Sequence, residues 1–332
     1  MYNYNRDHAF ALGRKLPQCK SWFLIVVSFV LIGVYGVCLA SAPSGMGKPF
    51  EFDQKTVDAF LQSGERGVLI AMAGDPALCG ALQLTCRLQT GDMFAARFLL
   101  CNQTGEMLSY RLIILADYRQ HVFELGGVAG TSHPLKIDSN SCKTYMIGVS
   151  HLGAGAHDLV FAAIRYVGDK PTGRGGDFAV LAHRMNLLVG RNEFPAYTLL
   201  ENLEHTPRRG NIDAEIRFVS PTSNVPPDKD GGSRALLSVA VGNMLEQSLT
   251  HALLLFSGDV QIAAMDGDTD TGVKPMFFIV EPQSVVRANV HILQQRERLW
   301  ALIIESPYAL LEEKRGIMTK IPMAVRISNV LD

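Results

Sequence analysis

The chain has 332 residues, 48% of them hydrophobic and 19% charged, with a formal net charge of −1. That composition excludes a disordered stalk, which would lack the residues to build a core. It also gives no ground for nucleic acid as a partner, since that requires a concentrated basic surface.

Residues 1–20 form a basic N-terminus, with Arg6, Arg14, Lys15 and Lys20 against a single acid, Asp7. The stretch SWFLIVVSFVLIGVYGVCLA, residues 21–40, follows without a charge. As a helix it would rise about 30 Å, the thickness of a bilayer's hydrocarbon core. Trp22 and Tyr35 lie toward its ends, where aromatic rings favour the interface. The stretch reads as a transmembrane helix of signal-anchor type. Positive charge stays inside, so the N-terminus is expected in the cytoplasm and the main body in a periplasmic or extracellular space. Two processing alternatives stay open. Ala40-Ser41-Ala42 is a small-x-small cleavage triplet, disfavoured by Pro43, and Cys38 sits where a lipid-modified cysteine would, after a poor lipobox, Tyr35-Gly36-Val37. All three readings export the body. Residues 41–78 read as a linker with a short helix, in which Val57, Phe60 and Leu61 share a face and Asp53 serves as N-cap.

Four cysteines lie in the exported part: Cys79, Cys86, Cys101 and Cys142. An even number outside the cytoplasm points to two disulfides. If the strands flanking Thr90-Gly91 pair as a hairpin, Cys79 faces Cys101, and Cys86 is left for Cys142. Neither C-x-x-C nor the short His/Cys spacing of a zinc site is present.

The chain then repeats its own pattern. LSYRLIILAD from Leu108 matches LTHALLLFSG from Leu249 at an offset of 141. HPLKI from His133 matches KPMFF from Lys274, and YMIGVSHL from Tyr145 matches VRANVHIL from Val286, at the same offset. DLVFAAI from Asp158 meets RLWALII from Arg298 with a slip of one, and CRLQ from Cys86 meets IRFV from Ile216 at 130. Within each copy, apolar residues alternate as they do on half-buried strands: Leu108, Tyr110, Leu112 and Ile114 in one, Leu249, His251, Leu253 and Leu255 in the other. Leu82, Leu84, Cys86 and Leu88 form a further stripe, as do Tyr145, Ile147 and Val149. Turn signals separate them, among them Gln103-Thr104-Gly105 and Ser257-Gly258-Asp259.

Short strands at this spacing, without alternating helices, predict a mainly β protein of two tandem, internally duplicated β-sandwich domains. Their size and strand pattern look immunoglobulin-like or fibronectin-III-like. The expected boundaries are residues 79–167 for the first sandwich, 168–195 for a linker containing GDKPTGRGGD, and 196–332 for the second. AYTLLENLEH near Tyr197 is ambiguous between helix and strand.

Candidate chemistry is sparse. In MDGDTDTGVKP, Asp266, Asp268 and Asp270 alternate like the first ligands of a calcium loop. The glycine, Gly272, falls one place late and Phe277 stands where the loop's closing glutamate belongs, so a solvated turn is the plainer reading. GVSHLG at Gly148 is not a G-x-S-x-G elbow, although Ser150, His151 and His157-Asp158 are neighbours in sequence. GDKPTGR lacks the P-loop lysine. Asn102-Gln103-Thr104 is a glycosylation sequon, and His251 on an apolar stripe reads as a core or edge histidine.

The expectation is a non-catalytic, membrane-anchored, extracytoplasmic binding or scaffolding protein. It would serve as a subunit of an envelope or cell-surface assembly, with a protein partner, no nucleic acid and no cofactor. The alternative is a calcium- or carbohydrate-binding surface module, which would need aromatic rings grouped on an exposed face.

Overall fold

The computed structural model describes residues 57–58, 62, 68–75, 77–79, 84–167, 170–171, 180–200, 203–207, 214–218, 234–263, 275–293, 299–311 and 323–328. The expected anchor at 21–40 lies outside them. Among the described residues no helix is long and apolar enough to cross a membrane. Of the expected helix near Val57, only Val57, Asp58 and Gln62 are described, with helical backbone. Elsewhere the described residues build a mainly β protein of several sheets.

In the N-terminal half the strands are β1 (Val68–Gly74), β2 (Thr85–Leu88), β3 (Phe94–Asn102), β4 (Leu108–Ala116), β5 (Arg119–His121) and β6 (Phe123–Leu125). They continue as β7 (Val128–Gly130), β8 (Ser132–Ile137), β9 (Ser141–Val149), β10 (Gly155–Val167), β11 (Lys170–Pro171) and β12 (Val180–Val189). One sheet has the order β1-β3-β9-β6-β7. The other runs β2-β12-β10-β4-β5, with β11 on β10 and β8 on β4. β2 and β12 pair in parallel, whereas the neighbouring pairs β12–β10 and β10–β4 are antiparallel. The core lies between the two sheets, where Phe94, Phe98, Leu100, Ile147 and Val149 meet Leu112, Ile114, Leu159, Phe161 and Leu187. This is a β-sandwich. One edge of the second sheet is closed by the parallel pair β2–β12.

Pairing through the C-terminal half follows related lines. Its strands are β13 (Glu204–Pro207), β14 (Ala214–Phe218), β15 (Arg234–Gly242), β16 (Leu249–Ser257) and β17 (Val260–Ile262). β18 (Met276–Val280), β19 (Ser284–Leu293), β20 (Leu299–Glu305) and β21 (Met323–Ser328) complete it. β14 pairs with β15 on one side and in parallel with β21 on the other, so one continuous sheet of order β13-β19-β15-β14-β21-β20-β16-β17 forms, with β18 on β16. Its two ends enclose a second core of Val239, Val241, Leu253, Leu255, Phe278, Val290 and Ile303.

The offset of 141 reappears in the pairing. β4 and β16 begin at Leu108 and Leu249, and β5 and β17 at Arg119 and Val260. Leu112 and Leu253 are both buried, each in its own core. Asn102 and Asn243 cap the strands before β4 and β16 in the same way. Asn102 Nδ2 donates to the carbonyls of Glu106 and Asp138, and Asn243 Nδ2 to those of Gln247 and Val280. Their Oδ1 atoms accept from the backbone N–H of Thr104 and Leu245. Asn102 is therefore fully buried and engaged, so the sequon it begins offers no free amide in the folded chain.

Several expectations are corrected. The region 168–195, expected as a linker, contains β12, which pairs with β10 along ten positions and carries core residues Leu181, Met185 and Leu187. The first sandwich starts before residue 79, because β1 pairs with β3. In AYTLLENLEH, which the sequence left ambiguous, Leu199 bridges to Phe277 and Glu204 opens β13.

Two disulfides form, as expected, but the pairing is corrected: Cys79–Cys86 and Cys101–Cys142 in place of Cys79–Cys101 and Cys86–Cys142. The hairpin about Thr90-Gly91 does not form, because β2 belongs to the opposite sheet from β3. β3 instead lies between β1 and β9, which sets Cys101 directly across from Cys142. Cys79 bridges to Cys86, seven residues on.

Non-reducing peptide mapping should recover linked Cys79–Cys86 and Cys101–Cys142 peptides. The Cys101–Cys142 bridge spans 41 residues. Replacing both cysteines by Ala should cost about 3–4 kcal/mol in chemical denaturation, against about 2 kcal/mol for the shorter bridge.

Candidate functional site

LSYRLIILA and HDLVFAAI are apolar on both faces in their second parts. A strand with one face in the sandwich core must then cover the other. The structure covers it by packing the two halves together. Ile113, Leu115, Val160, Ala162 and Ile164 lie against Ala252, Leu254, Phe256, Trp300, Leu302 and Ile304, and all are buried. Trp300 stacks on Phe256 with ring centroids 4.1 Å apart, and its Nε1 donates to the Gly258 carbonyl at 2.6 Å.

The seam is close to two-fold. The backbone N–H of Gln120 donates to Gln261 Oε1 at 2.7 Å, and that of Gln261 donates to Gln120 Oε1 at 2.8 Å. Gln120 Nε2 donates to the Asp259 carbonyl and Gln261 Nε2 to that of Tyr118, again positions 141 apart. Residue i meeting j while j meets i is the signature of an isologous interface, here within one chain.

A buried polar cluster breaks that symmetry. Asp158 on β10 and Arg184 on β12 are diagonal neighbours on adjacent strands, 0% and 4% exposed. Arg184 Nε donates to Asp158 Oδ1 at 2.8 Å and Oδ2 at 3.0 Å. The Tyr118 hydroxyl, also fully buried, donates to Asp158 Oδ2. The C-terminal half supplies the rest. Arg184 Nη1 donates to the Glu305 carbonyl at 3.0 Å and Nη2 to that of Ser306 at 2.9 Å. The Tyr308 N–H points at Asp158 Oδ2 and the Tyr118 hydroxyl, each at 3.1 Å. Further along the same loop, Leu311 N donates to Asn186 Oδ1 and its carbonyl accepts from Thr85. Burial, reinforced by the Asp158 charge, pushes the Tyr118 phenol far above its ordinary range. Burial alone would lower the Arg184 guanidinium, but its hydrogen bonds and charge pairing with Asp158 leave it raised.

The turn that delivers Tyr118 is strained. β4 and β5 are joined by two residues, Asp117 at φ 50° and Tyr118 at φ 64°. The matching turn between β16 and β17 places Gly258 at its first left-handed position. A two-residue hairpin suits Gly or Asn there, and a tyrosine needs outside support. Asp117 finds it at Asp158 N, 3.1 Å from Oδ1, and at His157 Nδ1, 2.7 Å from Oδ2. His157 Nε2 lies 2.9 Å from the Gly153 carbonyl. The Asp117 hydrogen bond, working against burial, raises the His157 pKa above 6.5. Around Tyr308 the rings of Tyr118, Phe194, Tyr197 and Phe277 gather at centroid distances of 4.9, 5.8, 5.5 and 5.8 Å. Tyr197 is the most exposed, at 39%.

The sequence candidates are not brought together. All four cysteines are spent in disulfides. Asp266, Asp268 and Asp270 lie outside the described residues, among which no group of metal-ligating side chains assembles. The His157-Asp158 pair that stands near Ser150 in sequence is engaged elsewhere. His157 faces Asp117 and a carbonyl, while Asp158 is held by Arg184 and Tyr118. His251 is buried and stacks on Phe278. Sequence reasoning missed the Tyr118–Asp158–Arg184 cluster, although its signal was present. HDLVFAAI and LAHRMNLLV each carry one opposite charge in an apolar strand, and Gln120 and Gln261 are identical at the repeat offset.

No family model matches the chain, and no curated protein does. Among solved structures it is similar to the CARDB domain of a Pyrococcus furiosus protein, in complex with di-metal ions, at 7% identity and a TM-score of 0.24. That match covers 37% of this chain and 94% of the domain. It is also similar to red sea bream transglutaminase at 11% identity and a TM-score of 0.22, covering 84% of this chain but only 34% of the enzyme.

Breaking the buried pair on one side strands a charge without water. Asp158→Ala and Arg184→Ala should each lose about 3–5 kcal/mol of stability. The double replacement Asp158→Ala with Arg184→Ala should lose less than the sum, as a double-mutant cycle in urea will show.

Proposed function

We propose that this chain is a membrane-anchored, extracytoplasmic binding or scaffolding protein whose body is two duplicated immunoglobulin-like domains. It acts without catalysis, as a subunit of an envelope or cell-surface assembly. The observation that carries this reading is the pair of disulfides behind an uncharged twenty-residue stretch with basic residues on its N-terminal side. Disulfides persist outside the cytoplasm, and the charge pattern sends the body there. The recurring offset of 141 supports duplication. The seam supports a rigid presenting role, because Asp158 and Arg184 bind each other and the loop after β20. A stiff two-unit body holds its loops and edge strands at a fixed spacing for a protein partner.

A second reading, a carbohydrate-binding module, is favoured by one observation. Phe194, Tyr197 and Tyr308 come together over Phe277 with Tyr197 half open to solvent. Aromatic faces of this kind stack on sugars as well as on one another. Calcium at Asp266, Asp268 and Asp270 would accompany that role.

In membranes of the native host the chain should stay with the pellet through a high-salt wash and retain Trp22. One partner protein should cross-link to it in stoichiometric amount. A soluble product beginning near Ser41 or Pro43, recovered alone, would overturn the anchored scaffold. For the second reading, calorimetric titration with oligosaccharides should give heat that Tyr197→Ala removes and that calcium strengthens. No heat with any sugar would dismiss it.

A further inference from the structure

We propose that His157 is a proton-operated lock on the seam: in its doubly protonated form it pins the Asp117–Tyr118 turn beneath the loop Ser306–Tyr308, coupling the two halves more tightly in mildly acidic than in alkaline surroundings.

The geometry requires two donors from one ring. Nδ1 lies 2.7 Å from Asp117 Oδ2 and Nε2 lies 2.9 Å from the Gly153 carbonyl, and both partners only accept. A neutral imidazole has one N–H, so one of these contacts would set a lone pair against an acceptor. The imidazolium satisfies both. What it holds is the strained part of the seam. Asp117 and Tyr118 sit consecutively in the left-handed region without a glycine, a conformation that persists only when its surroundings fix it. The Asp117 backbone N–H donates to the Asp158 carbonyl at 2.9 Å, its carboxylate is fixed by His157 and by Asp158 N, and its carbonyl accepts the Tyr308 hydroxyl at 3.4 Å. Releasing Asp117 therefore loosens the turn, and the turn carries the Tyr118 hydroxyl to which the Tyr308 N–H points.

Other charged groups facing this site come from each packed element. On the same strand is Asp158, occupied by Arg184 from β12. The β4–β5 turn brings Asp117, and Arg119 next to it acts on Tyr308. From the loop after β20 comes Tyr308, whose phenol burial keeps neutral. The chain after β12 contributes the Glu193 carbonyl, which accepts from Ala156.

Protonation works in one direction. The folded His157 is raised above 6.5, first by the Asp117 hydrogen bond and then, after the opposing effect of burial, by the Gly153 carbonyl. Its contribution is thus fully present below the unfolded value and is lost as pH rises through the folded one. His183 has the opposite sign: burial pushes it down to about 4, so it removes stability as pH falls from 6.5 toward that value. His183 alternates with the core residues Leu181 and Met185 on β12, away from the seam face, so a local readout separates the two.

Hydrogen exchange on the full chain in detergent provides that readout, between about pH 5.5 and pH 9 with intrinsic rates divided out. The amides of Asp158 and Tyr308 should be several-fold better protected at the acidic end, while those of the β3–β9 pair change little. His157→Gln, which cannot titrate, should flatten the dependence at both seam amides. Seam amides that merely track β3–β9 in the wild type overturn the proposal, as does a pH dependence that survives in His157→Gln. If that variant does not fold, ring titration of His157 in the wild-type chain decides: a midpoint above 6.5 together with the amide response upholds the lock, and one below it removes the lock.

Discussion

A carboxylate and a guanidinium buried together must find every remaining hydrogen bond inside the protein, and that requirement organises this molecule. Asp158 and Arg184 satisfy part of it with each other and with Tyr118. The outer guanidinium N–H groups also reach into the other half. Backbone carbonyls of Glu305 and Ser306 accept from them, and Tyr308 donates in return. The penalty for leaving any of these groups dry and unpaired is several kcal/mol. The loop after β20 is therefore held where it is, and with it the angle between the two halves. Apolar packing supplies most of the adhesion along the seam, but it is non-directional. The ion pair gives it a register.

The same seam shows how a nearly symmetric interface becomes specific. Gln120 and Gln261 answer each other across it, each satisfying the other's strand end. Beside them the symmetry fails, because the position of Tyr118 is occupied in the second turn by Asp259. Asp259 faces Arg111, Ser132 and Tyr166, and this flank is open, with Arg111 42% exposed. An ion pair of that kind is screened and contributes about 0–1 kcal/mol. One flank is thus a buried anchor and the other a solvated contact, so the halves are not interchangeable even where their strands match.

Covalent and local devices reinforce the N-terminal sandwich. Cys101–Cys142 ties β3 to β9 at a directly opposed pair, and Cys79–Cys86 ties Cys79 to β2. The C-terminal half places no cysteine in its strands and relies on its core and on the Asn243 turn, which repeats the hydrogen bonds of Asn102. The asparagine, which serves both halves, is the element that the fold requires. The disulfides are additions to one of them.

Much of this was legible in the sequence for a definite reason. Alternation with period two depends only on the neighbours along a strand, so Leu108, Tyr110, Leu112 and Ile114 announced a strand and its inward face without any knowledge of its partners. The offset of 141 likewise marked β16, β18 and β19 as counterparts of β4, β8 and β9. Cysteine number and export signals indicated two disulfides. What the sequence could not decide was which strands meet. Cys79 opposite Cys101 was sound arithmetic for a hairpin, but β2 crosses to the other sheet, and a crossover leaves no local trace. Residues 168–195 looked like a linker because glycine and proline dominate their start, yet β12 follows and closes the sandwich. Tyr118, Asp158 and Arg184 lie up to 66 positions apart, and their partners at 305–308 lie beyond another hundred. Only tertiary packing brings them into one dry site, because the need to pair a buried charge acts through space and is indifferent to distance along the chain.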